Sequence, residues 1–300
     1  MIFRHLLLSL LWALLLWLPV ARPLQAEPIP NAPLTFSLVP EKNIEQQIRN
    51  LQPLLDLLEQ KLQRPVRVIR AHSYQAVIEG LLAHNLDLAI LGPASYARAR
   101  LRDPGIEPFA SFSQKKGLTT PEGSYYQSIL FSLKARQIAS VQQLKGRKIA
   151  LTDPASTSGC LIPNMEFTQV IDGTPLPAFF GTLIYTGAHD RSIQAVLDGR
   201  ADAAFVASTH LDQAIGDGKI AAEQIALLWR SRPIHYDPFV FASHVPPALR
   251  QQIRAILLTP RPELAALFEQ MPFTGIEPVQ DSDYAPIHAL VRIQSSRQQP

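Results

Sequence analysis

The sequence predicts an α/β fold built on parallel sheets, in two similar halves. Three observations carry this. Apolar runs of strand length alternate with amphipathic helical stretches in units of about thirty residues, the pattern of parallel strands covered by helices. The alternation lapses after Ser113 and starts afresh at Arg147, which makes two successive runs. The second run opens with a buried-strand pattern, Arg147–Leu151. A loop of small residues, Asp153–Gly159, follows, and then a helical stretch from Cys160 to about Ile171.

In order, residues 27–33 are proline-rich and read as a linker. Leu34–Val39 alternates as a strand, and Pro40–Asn43 is a turn. From Ile44 to Leu62, apolar Ile48, Leu51, Leu54, Leu55, Leu58 and Leu62 recur at spacings of three and four. They predict an amphipathic helix that Pro53 kinks or restarts. Strands follow at Val66–Ile69 and Leu86–Leu91, with a helix at Tyr74–His84 between them and a helix start at Pro93. Phe109–Ser113 and Gln127–Lys134 read as strands around a polar loop. After the 147–171 unit come strand 179–185, helix 189–199, strand 202–206 and helix 208–215. Leu227–Trp229 and Phe239–Ala242 are short strands around an irregular Ser231–Pro238. Pro246–Leu258 and Pro262–Gln270 are helices, and the polar tail Ser295–Pro300 is expected to be disordered.

The first 26 residues read as a secretory signal peptide: basic start, apolar core from Leu6 to Val20, and small Ala26 at the cleavage point. The expected location is therefore the periplasm. Removing them takes away Arg4 and Arg22 and no acid, so the formal charge falls from +3 (28 basic, 25 acidic) to +1 (26 against 25). A nearly neutral chain with scattered charges has no electrostatic footprint for nucleic acid. Cys160 stands alone, which excludes an intrachain disulfide. The histidines lack metal spacing, so no metal and no cofactor is expected.

Ligands on parallel sheets sit at the carboxyl ends of the strands, so the turns there are the places to look. Ser156, Thr157 and Ser158 lie at a helix start with free backbone N–H groups. They suit an anion held by neutral donors and the helix dipole; an ordinary helix cap would use the same residue types. His189 begins another helix after a strand, and Asp190 beside it fixes its tautomer or caps the helix. Tyr74, Tyr96, Tyr125 and Tyr126 stand near strand ends, each with a ring and a hydroxyl donor. Asp237 accepts a proton from a protonated oxygen or pairs with a cation, or else is a turn acid before Pro238.

These residues also carry a resemblance. Asp153-Pro154-Ala155-Ser156-Thr157-Ser158-Gly159 followed by Pro163 resembles the signature of the substrate-binding proteins of phosphonate/phosphite/phosphate ABC transporters. So do Tyr74 with Val77-Ile78-Glu79, Leu86–Ala89 with Gly92-Pro93-Ala94-Ser95-Tyr96, Tyr125-Tyr126, Gly187–Asp190, Asp202–Ala204 and Pro233–Pro238, in order along most of the chain. The resemblance implies a two-lobed periplasmic-binding-protein type II fold that closes on its ligand. Residues 27–115 plus 236–300 would form one lobe and 116–235 the other. It implies ligand contacts at Ser156, Thr157, Ser158, His189, Asp237, Tyr74 and Tyr125 or Tyr126, with Tyr96 a further candidate. Where relatives that take aminoalkyl phosphonates carry an acid after the Asp-Ala-Ala strand, this chain reads Phe205-Val206-Ala207-Ser208. That tilts the expected ligand toward phosphate, phosphite or a simple alkyl phosphonate.

The reading is a monomeric, non-enzymatic protein that captures a small phosphorus oxyanion and delivers it to an ABC permease in the inner membrane. One alternative is a periplasmic sensor subunit that docks on a signalling receptor. A phosphoester hydrolase has less behind it, because no nucleophile stands beside a base in the sequence.

Overall fold

The computed structural model describes residues 32–269 and 273–298. The expected leader, residues 1–26, lies outside them, as does most of the linker. Strand β1 (Leu34–Leu38) leads into the helix Ile44–Leu62, capped by Asn43, whose side-chain oxygen accepts from the Gln46 N–H at 3.1 Å. Pro53 sits inside this helix without breaking it. The buried face of Ile48, Leu51, Leu54, Leu55 and Leu58 explains why. Each fully buried Leu or Ile contributes about 1.5–3 kcal/mol, which together exceeds the roughly 3 kcal/mol that an interior proline costs.

Strands β2 (Val66–Val68), β3 (Leu88–Ile90) and β4 (Glu107–Gln114) follow, with helices Tyr74–Leu82 and Pro93–Arg102 between them. The chain then crosses over through β5 (Tyr125–Tyr126) to β6 (Ser128–Leu133), β7 (Lys148–Leu151), β8 (Thr182–Tyr185), β9 (Ala203–Ala207) and β10 (Ile225–Arg230). It returns through β11 (Ile234–His235) to β12 (Pro238–Phe241) and β13 (Phe273–Pro278). The result is a six-stranded sheet in the order β13-β4-β12-β3-β1-β2 and a five-stranded sheet in the order β10-β6-β9-β7-β8. Both are mixed. β1 lies parallel to β2 and β3, and β7 lies parallel to β8 and β9, as the alternation predicts. The returning strand β12 runs antiparallel between β3 and β4, and β6 runs antiparallel between β9 and β10.

The sequence period is visible in β6. Ile129 and Phe131 face one apolar cluster with Val206 and Leu211, while Leu130 faces the other with Phe167 and Phe205. β5 and β11 pair as a two-residue ribbon within stretches expected to be irregular. Ser295 to Gln298, expected to be disordered, continue the helix Ala285–Gln298. That helix is anchored through His288, whose Nε2 lies 2.9 Å from an Asp281 carboxylate oxygen. Among the described residues no helix is long and apolar enough to cross a membrane.

Candidate functional site

The loop after β7 is set by its own backbone. The Asp153 carbonyl accepts from the Ser156 N–H at 2.8 Å and its carboxylate from the Ala155 N–H at 2.7 Å, a turn that only a short polar side chain makes. Ser156 is then the helix cap, its Oγ accepting from the Gly159 N–H at 3.1 Å. An ordinary α-helix is expected from here. The structure has π-helical turns instead, at Thr157–Leu161 and Pro163–Phe167. Pro163 has no N–H to give the Gly159 carbonyl, which accepts from Thr152 N–H at 3.3 Å. The usual bond at that step is therefore missing, and the turn widens. Such turns recur at functional sites.

Ser156, Thr157 and Ser158 are each 1% exposed. They meet residues of the other sheet. Thr157 Oγ1 accepts from the Ala94 N–H at 2.8 Å, and Ser95 Oγ donates to the Ala155 carbonyl at 3.0 Å, so the loop is clasped by the start of helix Pro93–Arg102. Tyr126 is buried beside Thr157 and Ser158, and burial, then Asp237, pushes its phenol well up. Tyr74 is also buried, and its hydroxyl has no hydrogen-bond partner among the described residues. Burial, and then the acids Glu41, Asp237 and Asp153, push its phenol well up, so it stays a donor at every ordinary pH.

His189 sits at the first turn of helix His189–Leu197, and its N–H donates to the Glu41 carbonyl at 2.8 Å. Its tautomer is fixed by Ala207, whose N–H donates to His189 Nδ1 at 3.1 Å. The proton of the neutral ring is therefore on Nε2. Burial drives the imidazole down to about 3, so it is neutral near neutral pH. Asp190 does not do this work: its carboxylate accepts from the Asn43 N–H at 3.0 Å and the Arg191 N–H at 2.7 Å. Together with Lys42, whose Nζ donates to Gln213 Oε1 at 2.7 Å, the turn Glu41–Asn43 straps β1 to the helices that follow β8 and β9.

Asp237 is buried just before β12, and its carboxyl meets that of Glu41. Burial and the neighbouring Glu41 push it well above the usual carboxyl range. His210 completes the cluster, its ring 4.7 Å from that of His189 and its Nε2 3.8 Å from a Glu41 oxygen. Neither Glu41 nor His210 stands in a pattern that the sequence reading picks out. Glu41 follows a strand as one of four turn residues, and that position is its only signal.

The tyrosines divide. Tyr74 and Tyr126 belong to the cluster. Tyr125 is 45% exposed and its ring packs on His235 across the β5–β11 ribbon, because neighbouring strand residues face opposite sides. Tyr96 lies elsewhere: its hydroxyl donates to Asp281, and its ring packs edge-on against Tyr284 and His288. A helix carries it toward the C-terminal helix, where it serves as an anchor.

A cavity of about 910 Å3 is walled by Glu41, Lys42, His210, Tyr236 and Asp237 among others. Ser156–Ser158, Tyr74 and Tyr126 are not on its wall. Ala94 and Ser95 clasp the hydroxyl loop, while Glu41 and Asp237 act on Tyr74 and line the cavity.

The sequence of residues 36–284 matches the family described as ABC transporter, phosphonate, periplasmic substrate-binding protein. The chain belongs to that family. The phosphate-import protein PhnD of Mycolicibacterium smegmatis is 26% identical over 86% of this chain and 84% of its own length. Among solved structures, the binding-protein component of an ABC phosphonate transporter from Pseudomonas aeruginosa superposes with a TM-score of 0.77. It is 20% identical and covers 89% of this chain and 87% of its own. PhnD1 of Prochlorococcus marinus, solved with methylphosphonate, superposes at 0.74, with 17% identity over 87% of this chain and 98% of its own. The fold is therefore that of the phosphonate-binding proteins. In this family member the Ser-Thr-Ser loop follows a strand of the five-stranded sheet, while Tyr74 and Asp237 are supplied by segments flanking the six-stranded one.

Proposed function

We propose that this protein is a periplasmic, non-enzymatic carrier that encloses one small phosphorus oxyanion and presents it to an ABC permease. One observation carries the ligand class. Neutral groups, namely Ser158, Tyr126 and the Tyr74 hydroxyl, which has no partner among the described residues, lie near the start of the π-helical turn, and His189, neutral with its proton on Nε2, begins the helix after β8. Several hydrogen bonds to an ionised group, each about 1.5–3 kcal/mol, are enough for micromolar binding or better. Residues 27–115 with 236–300 and residues 116–235 act as two lobes, and the Glu41–Asn43 strap and the Ala94–Thr157 clasp are the contacts that form on closure. Ala207, spent on orienting His189, offers no ammonium partner, which favours phosphate, phosphite or methylphosphonate. The protein acts as a monomer after cleavage near Ala26.

Thermal denaturation of the mature chain with phosphate, phosphite, methylphosphonate and aminoethylphosphonate tests this. A true ligand at 100 times its dissociation constant adds about 2.7 kcal/mol to stability. Stabilisation is expected with at least one of the first three, and absence of any shift overturns the reading. Tyr74→Phe gives a second test, with effects of opposite sign. Removing a buried hydroxyl that has no partner raises the stability of the ligand-free protein by about 1 kcal/mol, while the lost donor weakens methylphosphonate roughly tenfold. Unchanged affinity would place the ligand away from Tyr74.

A further inference from the structure

Helix Pro93–Arg102 follows a strand of the six-stranded sheet, and the Asp153–Gly159 loop follows a strand of the five-stranded one. Three donors of that helix reach three acceptors of the loop. The Ala94 N–H donates to Thr157 Oγ1 at 2.8 Å, Ser95 Oγ to the Ala155 carbonyl at 3.0 Å, and Arg98 Nη1 to the Pro154 carbonyl at 2.9 Å. Ala94 and Arg98 share one face of the helix, so helix and loop run past each other in opposite directions. Arg98 also donates from Nη2 to Gln294 Oε1 at 2.7 Å, on the helix Ala285–Gln298. We propose that Arg98 is a positioning residue: it latches the oxyanion loop to helix Pro93–Arg102 when the lobes close, and so sets how long the anion stays bound. This rests on the oxyanion reading above.

The latch holds the loop by its back. The carbonyls of Asp153, Pro154 and Ala155 accept from the Ser156 N–H, from Arg98 and from Ser95, which ties up that stretch of backbone. The Thr157 and Ser158 N–H groups come next. They open the π-helical turn, where no carbonyl of the turn reaches them. Thr157 Oγ1 accepts from Ala94, so its own proton is left to donate. Arg98 is the one charged donor of the three, and a bond from a charged group is about twice as strong as a neutral one. Its two grips, on Pro154 and on Gln294, hold the planar guanidinium in one orientation. The helix that carries it is itself fastened, because the Tyr96 hydroxyl donates to Asp281 and the Tyr96 ring packs on Tyr284 and His288. The loop therefore closes against a rigid support. An enclosed anion leaves only after the lobes part, and its apparent dissociation constant is the intrinsic one divided by the closed fraction. Weakening the latch lowers that fraction. Release speeds up, while capture by the open form is unaltered.

Arg98→Ala separates latching from electrostatic steering and from plain support of the fold. Calorimetry gives the affinity for methylphosphonate, phosphate and phosphite, and stopped-flow fluorescence gives the rates, at low and at high salt. The expected result is release about tenfold faster for every anion that wild type binds, with association changed by less than about twofold and the affinity lowered to match. Arg98→Lys keeps the charge and one donor for Pro154, and it should recover most of the loss. Ser95→Ala removes the neighbouring bond to the Ala155 carbonyl and no candidate ligand contact. It should speed release in the same way, and it serves if Arg98→Ala does not fold. Release at the wild-type rate in the folded variants overturns the inference while leaving the oxyanion reading standing. A loss confined to association, and shrinking at high salt, makes Arg98 a steering charge and overturns it too. No binding of methylphosphonate, phosphate or phosphite by wild type takes down the functional reading itself.

Discussion

Replacing Gly159 by alanine is expected to lower stability by about 1–3 kcal/mol and to weaken oxyanion binding at least a hundredfold. An added Cβ would stand 1.7 Å from Thr152 Oγ1 and 2.7 Å from Thr152 Cβ. The hydroxyl could rotate away, but the Thr152 Cβ is fixed to a backbone already bonded at both ends, to the Gly159 carbonyl and the Gly187 N–H. Overpacking of this kind forces the backbone to move, and it costs energy in that range. Gly159 lies in the π-helical turn that carries Ser158 and Thr157, so a shift of that turn would give the stability loss and the binding loss one cause. Chemical denaturation and ligand titration measure the two. Thr152→Ala in the same chain keeps its Cβ and should rescue only part of either. Full rescue would show that the Thr152 hydroxyl and methyl, and not its Cβ, were in the way.

Ser158→Ala should cost binding without costing the fold. Its backbone carbonyl, which accepts from Ser128 Oγ at 2.6 Å, is untouched, and its side chain lies beside Tyr126. A lost hydrogen bond to an ionised ligand is worth about 1.5–3 kcal/mol, so methylphosphonate should bind roughly 10–150-fold more weakly while the melting temperature of the empty protein stays put. Ser156→Ala is the contrast. Ser156 is the helix cap, so its loss should lower stability by about 1 kcal/mol with or without ligand. Equal effects of the two substitutions on the empty protein would mean that the loop's hydroxyls are structural rather than ligand-directed. Calorimetry and a melt of each variant decide.

Much of the site is legible in single residues because local chemistry dictates it. A run of hydroxyl residues after a buried strand has to end in a capped helix, and it does so at Ser156. A histidine between a strand and a helix falls at a helix start, and His189 does. The reading goes astray where two solutions share one local pattern. Tyr96, like Tyr74, lies at the beginning of a helix that follows a strand end. Which of them reaches the cluster depends on what lies beyond: for Tyr96 it is Asp281 and the C-terminal helix. Asp190 is ambiguous in the same way, and Asn43 and Arg191 take both of its oxygens.

The sequence by itself determined the alternation of strands and helices, the two runs, the hydroxyl loop and the family, because periodicity and short motifs are local properties of a chain. The tertiary structure alone decided that Glu41 meets Asp237 and that His210 lies against His189. The reason is topological. β12 returns to run antiparallel beside β3, and β1 lies on the far side of β3, so the turn after β1 and the residue before β12 come together. No spacing along the chain encodes that meeting.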